Sequence, residues 1–509
     1  MRSIVRAAVG CALTTALLVS LSGPGVAQTP QQKGKVPAAP PRRSSLSQVT
    51  LRLEQLIPRL LQEGTVPGLS IALVRGGKLV WQHGFGLANA DMKAPVTNDS
   101  VFEAASLSKP VFAYAVLKLV DAGQLDLDRP LVTYLPGRYD VGDDPRFDRL
   151  TARRVLSHTS GFPNWRSGTR EGPLPMFFSP GERFSYSGEG FVYLGKVVEH
   201  ITGEPLDQYM KRAVFDPLGM TSSSYVWQDR YETLKVSNHN AIGIATPSGR
   251  PKNPNVAASL QTTSGDYARF VAAILNGAAL KKRTARAMLS TESRVDEAGP
   301  NTVQRAPTGR VVPGLSWGLG WGLEDGPDGP AFWHWGDNGD NKAFVYARER
   351  SRDGVAIFAD GYNGLSIVPE IVKAAVGGEH PAFAWLRIES YDSPVNRFFK
   401  MMADRGVPQG LQEYRAQKTA GKQPLVVTED QMNQFGYSLL SAKRVKDAIE
   451  VFKLNVEEHP QSWNTYDSLG EAYMIDGATE LAIKNYERSL ELNPENKNGI
   501  EQLKKLKGK

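Results

Sequence analysis

Phe102-Glu103-Ala104-Ala105-Ser106-Leu107-Ser108-Lys109-Pro110 sets a hydroxyl and an amine three residues apart, just ahead of an apolar run, Val111 to Ala122, that stops at Gly123. The run predicts a buried helix closed by glycine. Residues three apart share a helix face, so Ser106 and Lys109 point the same way. A serine hydroxyl is a poor nucleophile until a neighbour takes its proton, and a lysine can do so only where burial or nearby cations lower its pKa. A helix start favours the negative charge that develops there, and Pro110 is tolerated in a first turn. The competing reading is a capping serine beside a solvated lysine. Lys109 is the only lysine in the chain with a serine three positions before it, and the flanking sequence decides between the two.

On the N-terminal side, Ser70 to Val74 and Leu79 to His83 read as strands around Gly76-Gly77, a two-residue hairpin turn. Before them Leu46, Val49, Leu53, Leu56, Ile57 and Leu60 have helical spacing, with Pro58 a complication late in the helix. Far downstream, Ala343 to Ala347 and Gly354 to Ala359 predict two more strands, followed by a helix over Ile367 to Val376. Between the strand groups lie mainly helices and loops, including Phe191 to Thr202 and Asp266 to Leu275. An antiparallel sheet built from both ends of a domain, with helices from its middle, is an α+β arrangement.

The 509 residues are long enough for two or three domains, and 41% hydrophobic with 22% charged residues is ordinary globular composition. The start differs. Arg2 and Arg6 precede an apolar run, Ala7 to Leu21, and then Gly25-Val26-Ala27, the pattern of an export signal over residues 1–27. An uncleaved anchor is the alternative, although the run is short against the roughly 20 residues of a bilayer span. Cys11, the only cysteine, lies in this segment, so the exported chain would carry no disulfide, thiol nucleophile or Cys-held metal. Loss of Arg2 and Arg6 would take the formal charge from +7 to +5, and no basic stripe interleaved with aromatics suggests nucleic acid. Residues 28–45, rich in Pro, Gln and Lys, read as a flexible tether.

From about residue 430 a repeat appears. Phe435 and Leu469, Gly436 and Gly470, Leu439 and Tyr473, Ala448 and Ala482, Ile449 and Ile483, Phe452 and Tyr486, and Pro460 and Pro494 each stand 34 apart, the tetratricopeptide period. Two repeats are fewer than the roughly three that usually bury a continuous core, so residues 430–509 are expected to lean on Val395 to Ala403, on Gly499 to Lys507, or on the domain at 46–380. Residues 381–429 then form a helical linker. The repeats would either hold a protein or peptide partner or buttress the fold.

Three stretches complete the chemistry: His158-Thr159-Ser160-Gly161, Phe184-Ser185-Tyr186-Ser187-Gly188, and Trp333-His334-Trp335-Gly336-Asp337. With Leu125 to Pro130, Asp216 to Met220 and Thr262 to Asp266, they resemble, in order, the penicillin-recognising serine hydrolases, in the branch of class C β-lactamases, D-alanyl-D-alanine carboxypeptidases, D-aminopeptidases and esterases. The resemblance covers roughly Leu46 to Val376. It implies that Ser106 forms an acyl-enzyme, that Lys109 handles its proton, and that Tyr186 shares the base role and protonates the leaving group. It places His334-Trp335-Gly336 on a sheet-edge strand against which substrate lies, with the backbone N–H groups of Ser106 and Asp337 as oxyanion hole. The substrate would be a small acyl compound or peptide.

Two departures stand out. Where the family commonly has Tyr-x-Asn, Gly188 removes the carboxamide, and His334 replaces the lysine usual in true β-lactamases, weakening the positive charge that meets a substrate carboxylate. Both favour an ester or small amide over a β-lactam. His158 reads as structural. Gly314-Leu315-Ser316-Trp317-Gly318 matches a nucleophile elbow, but no helix follows it and too little chain remains for a later acid and histidine. No metal or nucleotide motif is present, so no cofactor is inferred. A binding or sensing protein that acylates slowly or not at all is the reading from a different class.

Overall fold

The computed structural model describes residues 44–508 except 136, 138, 167–171, 304 and 422–426; the expected export signal, Cys11 and the tether to residue 43 lie outside them. Leu46–Gly64 is one continuous helix (α1) despite Pro58, started by a capping box on Ser45. The predicted hairpin is Gly68–Arg75 (β1) and Lys78–Asn89 (β2), with Gly76 at φ 57° and Gly77 at φ 75°, the left-handed pair that a tight two-residue turn requires.

The sheet is larger than the sequence suggested. Ala94–Pro95 (β3), Ser293–Asp296 (β4), Val311–Trp317 (β5), Gly322–Gly326 (β6), Gly329–Asp337 (β7), Lys342–Arg348 (β8) and Asp353–Ala359 (β9) join the hairpin in the antiparallel order β3-β2-β1-β9-β8-β7-β6-β5-β4. Central strands alternate between two cores. Ala72, Val345, Ala356 and Phe358 pack with Ser108–Asp121 (α2) and Ser264–Leu275 (α4), while Ile71, Phe344, Val355 and Ile357 pack with α1 and Val368–Val376 (α5). Gly188–Thr202 (α3) joins the α2 side.

The strand carrying His334 is not a sheet edge, as the resemblance implied, along its whole length. β6 pairs with β7 only as far as Trp333, whereas β8 pairs with it through to Asp337. The segment His334 to Asp337 therefore runs past its outer neighbour and presents a local edge.

Beyond α5, Pro394–Arg405 (α6), Val407–Thr419 (α7), Glu429–Ser441 (α8), Val445–Glu458 (α9), Trp463–Asp476 (α10), Thr479–Leu492 (α11) and Lys497–Leu506 (α12) form a helical tail. Gly436 lies against the Phe452 ring and Gly470 against the Tyr486 ring, so the close helix contact repeats. The linker expected over 381–429 is more than a spacer. Phe398, Phe399, Met402, Val407 and Leu411 share one core with Phe435, Phe452 and Leu469, and Ala241 of the sheet domain enters the same core.

Candidate active site

Ser106 sits in a 3-10 turn, Ala105–Leu107, that leads directly into α2. Ala105 has φ 49°, a conformation costly for a residue with a Cβ and one that persists only where the surroundings hold it. They do so here. The Ser108 hydroxyl donates to Ala105 O at 2.6 Å and accepts from Leu260 N at 3.0 Å, while Tyr267 donates to Leu107 O at 3.0 Å and Tyr225 to Ser108 O at 2.6 Å. The Leu260 bond also draws the 257–260 segment against the turn.

Lys109 is wholly buried, so the solvated-lysine alternative fails. Its Nζ lies 3.0 Å from Ser106 Oγ and donates to Ala257 O at 2.8 Å. The rings of Tyr186, Trp165 and Phe191 enclose the amine, with centroids at 4.8, 5.6 and 5.9 Å. Burial pushes the Lys109 amine well below its ordinary pKa.

Tyr186 comes just ahead of α3, whose first turn is capped by Ser187 Oγ accepting from Gly190 N. Burial raises its phenol far above the ordinary value and outweighs the opposing influence of the Ser106 hydroxyl, which faces it. Among the described residues, no group stands in hydrogen-bond geometry to the Tyr186 hydroxyl. The ring is held by stacking on His158, centroids 4.2 Å apart, and by Trp335 at 4.6 Å.

His158 is buried and accepts the Ser187 N–H on Nδ1 at 3.0 Å, which assigns its proton to Nε2. Burial, Lys109 and His334 lower its pKa in that order, so it stands neutral behind Tyr186. His334 is buried too. Its Nδ1–H donates to Trp335 O at 2.7 Å, and burial with Lys109 brings its pKa down to about 3. It therefore contributes no positive charge for a substrate carboxylate near neutral pH.

Both glycines have steric reasons. A Cβ on Gly336 would stand 2.4 Å from Ala104 O, so glycine lets the nucleophile turn lie against β7. A Cβ on Gly188 would stand 2.8 Å from the Trp165 ring, which fills the space a longer side chain would need. Asp337 stands at the end of β7, its side chain partly exposed and paired with Lys342. Ser316 lies on β5 with its hydroxyl 2.8 Å from Thr291 Oγ1, remote in role from any nucleophile elbow.

Ser106, Lys109, Tyr186 and His334 thus meet at one place. Sequence reasoning missed Trp165, which its position shortly after the His158 to Gly161 stretch could have flagged, and the Ala257 carbonyl, which no side-chain pattern could reveal.

Residues 53–368, more than half of the chain, match the family model described as Beta-lactamase. Esterase EstB of Burkholderia gladioli is 28% identical over 311 residues, covering 53% of this chain and 78% of that protein. Penicillin-binding protein 4 of Amycolatopsis lactamdurans is 29% identical over 343 residues, covering 62% and 87%. Among solved structures, a β-lactamase/D-alanine carboxypeptidase from Pseudomonas syringae superposes with TM-score 0.56 at 18% identity, covering 65% of this chain and 99% of that one. The octameric penicillin-binding protein homologue from Pyrococcus abyssi does so with TM-score 0.54 at 21% identity, covering 70% and 82%.

Proposed function

The chain belongs to the Beta-lactamase family, and on that premise we propose that it is an exported hydrolase that passes an acyl group from an ester or small amide to Ser106 and then to water. The observation that carries this reading is the 3.0 Å approach of a wholly buried Lys109 amine to Ser106 Oγ. Burial favours the neutral form of this amine, and a neutral amine can accept the serine proton.

The division of labour differs from the one the resemblance implied. Burial lowers Lys109 and raises Tyr186, so Lys109 is the base and Tyr186 keeps its proton. Ser106 Oγ bonds to the acyl carbon as its proton passes to Lys109; the bond to the leaving group breaks as Tyr186 protonates it. Lys109 returns a proton to the phenolate, and water repeats the sequence to free the acid. The backbone N–H groups of Ser106 and Asp337 are the proposed donors to the tetrahedral oxyanion. Neutral His334 and the Trp165 ring over Gly188 favour uncharged acyl groups, so β-lactam turnover is expected to be weak.

The test is hydrolysis of a chromogenic short-chain ester by wild type and Ser106→Ala, with intact-mass measurement after fluorophosphonate and after penicillin. A fluorophosphonate adduct and ester turnover that both vanish in the variant support the proposal. Equal rates in the two proteins, or no adduct on wild type, defeat it in favour of a binding role.

A further inference from the structure

The helical tail reaches the active site through a chain of side chains. Phe399 of α6 meets the Tyr362 ring edge-on at 5.9 Å, and the Tyr362 hydroxyl donates to Gln434 of α8 at 3.1 Å. Tyr362 follows β9, and the Lys342 ammonium stands 4.9 Å over its ring. Lys342 is only 7% exposed, and its Nζ pairs with Asp337 Oδ1. Asp337 and Lys342 are also cross-strand partners at the last rung of β7 and β8. A cavity of about 270 Å³ at this junction is walled by Asp337, Lys342 and Tyr362 on one side and by Asn396, Phe399 and Gln431 of the tail on the other.

We propose that the tail is a working part of the hydrolase and that Lys342 is its positioning residue, holding the end of β7 so that the Asp337 N–H stays aimed at the oxyanion. This rests on the acyl-transfer reading of Ser106. The Tyr362 ring covers one side of the Lys342 ammonium, and Tyr362 is held in turn by the tail. An ion pair with one buried partner keeps a geometry that an exposed pair does not. Losing the tail contacts would let water reach Lys342 and loosen Asp337. A misplacement of about 1 Å at an oxyanion donor costs up to about a hundredfold in rate.

The experiment measures kcat and KM for a chromogenic ester, and the rate of Ser106 labelling by a fluorophosphonate, in the full-length chain. Lys342→Met is expected to lower kcat and the labelling rate about tenfold or more with KM little changed, and Lys342→Arg to restore most of the loss. Tyr362→Phe, which removes only the hydroxyl bonded to Gln434, and Phe399→Leu are expected to lower kcat several-fold. In the Lys342→Met background these two should add almost nothing, because the route is already broken. Losses that multiply independently, or a fall in Tm with kcat unchanged, overturn the inference while leaving the acyl-transfer reading intact. A wild type inert to both ester and fluorophosphonate overturns both.

Discussion

Two buried polar clusters, one between β6 and β8 and the other where His334 of β7 meets the Ser106 turn, are finished differently. Around β6 and β8, Glu324 Oε1 accepts from Tyr346 at 2.9 Å and pairs with His380 Nδ1 at 2.9 Å, while His380 Nε2 lies 3.1 Å from Gly377 O, so the tyrosine and both ring nitrogens have partners and only Glu324 Oε2 is left without one. Around Ser106, the Tyr186 hydroxyl, His158 Nε2 and His334 Nε2 are equally buried and have none among the described residues. The first cluster holds a carboxylate against an imidazole, while the second holds an amine, two imidazoles and a phenol with no close acid among the described residues. Buried polar groups are normally satisfied, and those that are not tend to lie where substrate completes the set. The first cluster leaves one carboxylate oxygen open, whereas the second leaves polar atoms of three side chains open around the nucleophile, where a ligand can complete them.

The largest test removes the reacting groups. Ser106→Ala is expected to lower ester turnover by about 10⁴-fold or more, and Lys109→Met by about 10³-fold, with Tm little altered by the serine change. Variants that keep activity within tenfold of wild type would break the contrast.

Tyr186→Phe sharpens it. As the acid that protonates the leaving group, Tyr186 should contribute about a hundredfold with an alkyl ester. The loss should shrink with a 4-nitrophenyl ester, whose leaving group departs unprotonated. Equal losses with both esters would mean that the phenol is structural.

The pH profile comes next. Below the lowered pKa of Lys109 the amine is protonated and cannot accept the serine proton, so kcat/KM should rise about tenfold per pH unit and then level off. Because burial raises Tyr186, no falling limb is expected below about pH 10, the ordinary phenol value. A bell centred near neutrality would assign the base role to the phenol.

The smallest effect on activity belongs to the other cluster. Glu324→Gln should cost about 1–3 kcal/mol of stability by unbalancing the His380 and Tyr346 bonds, read as a lower denaturation midpoint. Ester kcat should stay within about twofold. A large fall in kcat would show that both clusters serve the reaction.

Much of the site could be read in the chain because it is written locally. The Ser106 and Lys109 spacing needs only one helical turn, and Gly76-Gly77 marks its hairpin by conformation alone. Residue pattern alone did not show the strands from 293 to 337, and only the family resemblance placed His334 to Gly336 on one, because Val311–Trp317, Gly322–Gly326 and Gly329–Asp337 are rich in Gly, Pro, Asp and Trp and have no clean alternation. Pairing to β8 and to each other makes them strands. The helices α6 and α7 read as a linker because their apolar faces acquire meaning only against Phe435 and Leu439.

The amino-acid order by itself determined which groups could react and how they were spaced, because those depend on covalent reach and helical period. Tertiary structure alone decided their protonation. It buried Lys109 among Tyr186, Trp165 and Phe191, set it on the Ala257 carbonyl and, among the described residues, placed no acid against it. A pKa is set by desolvation and nearby charge, and here the groups that impose both come from segments up to about 150 residues away in the chain.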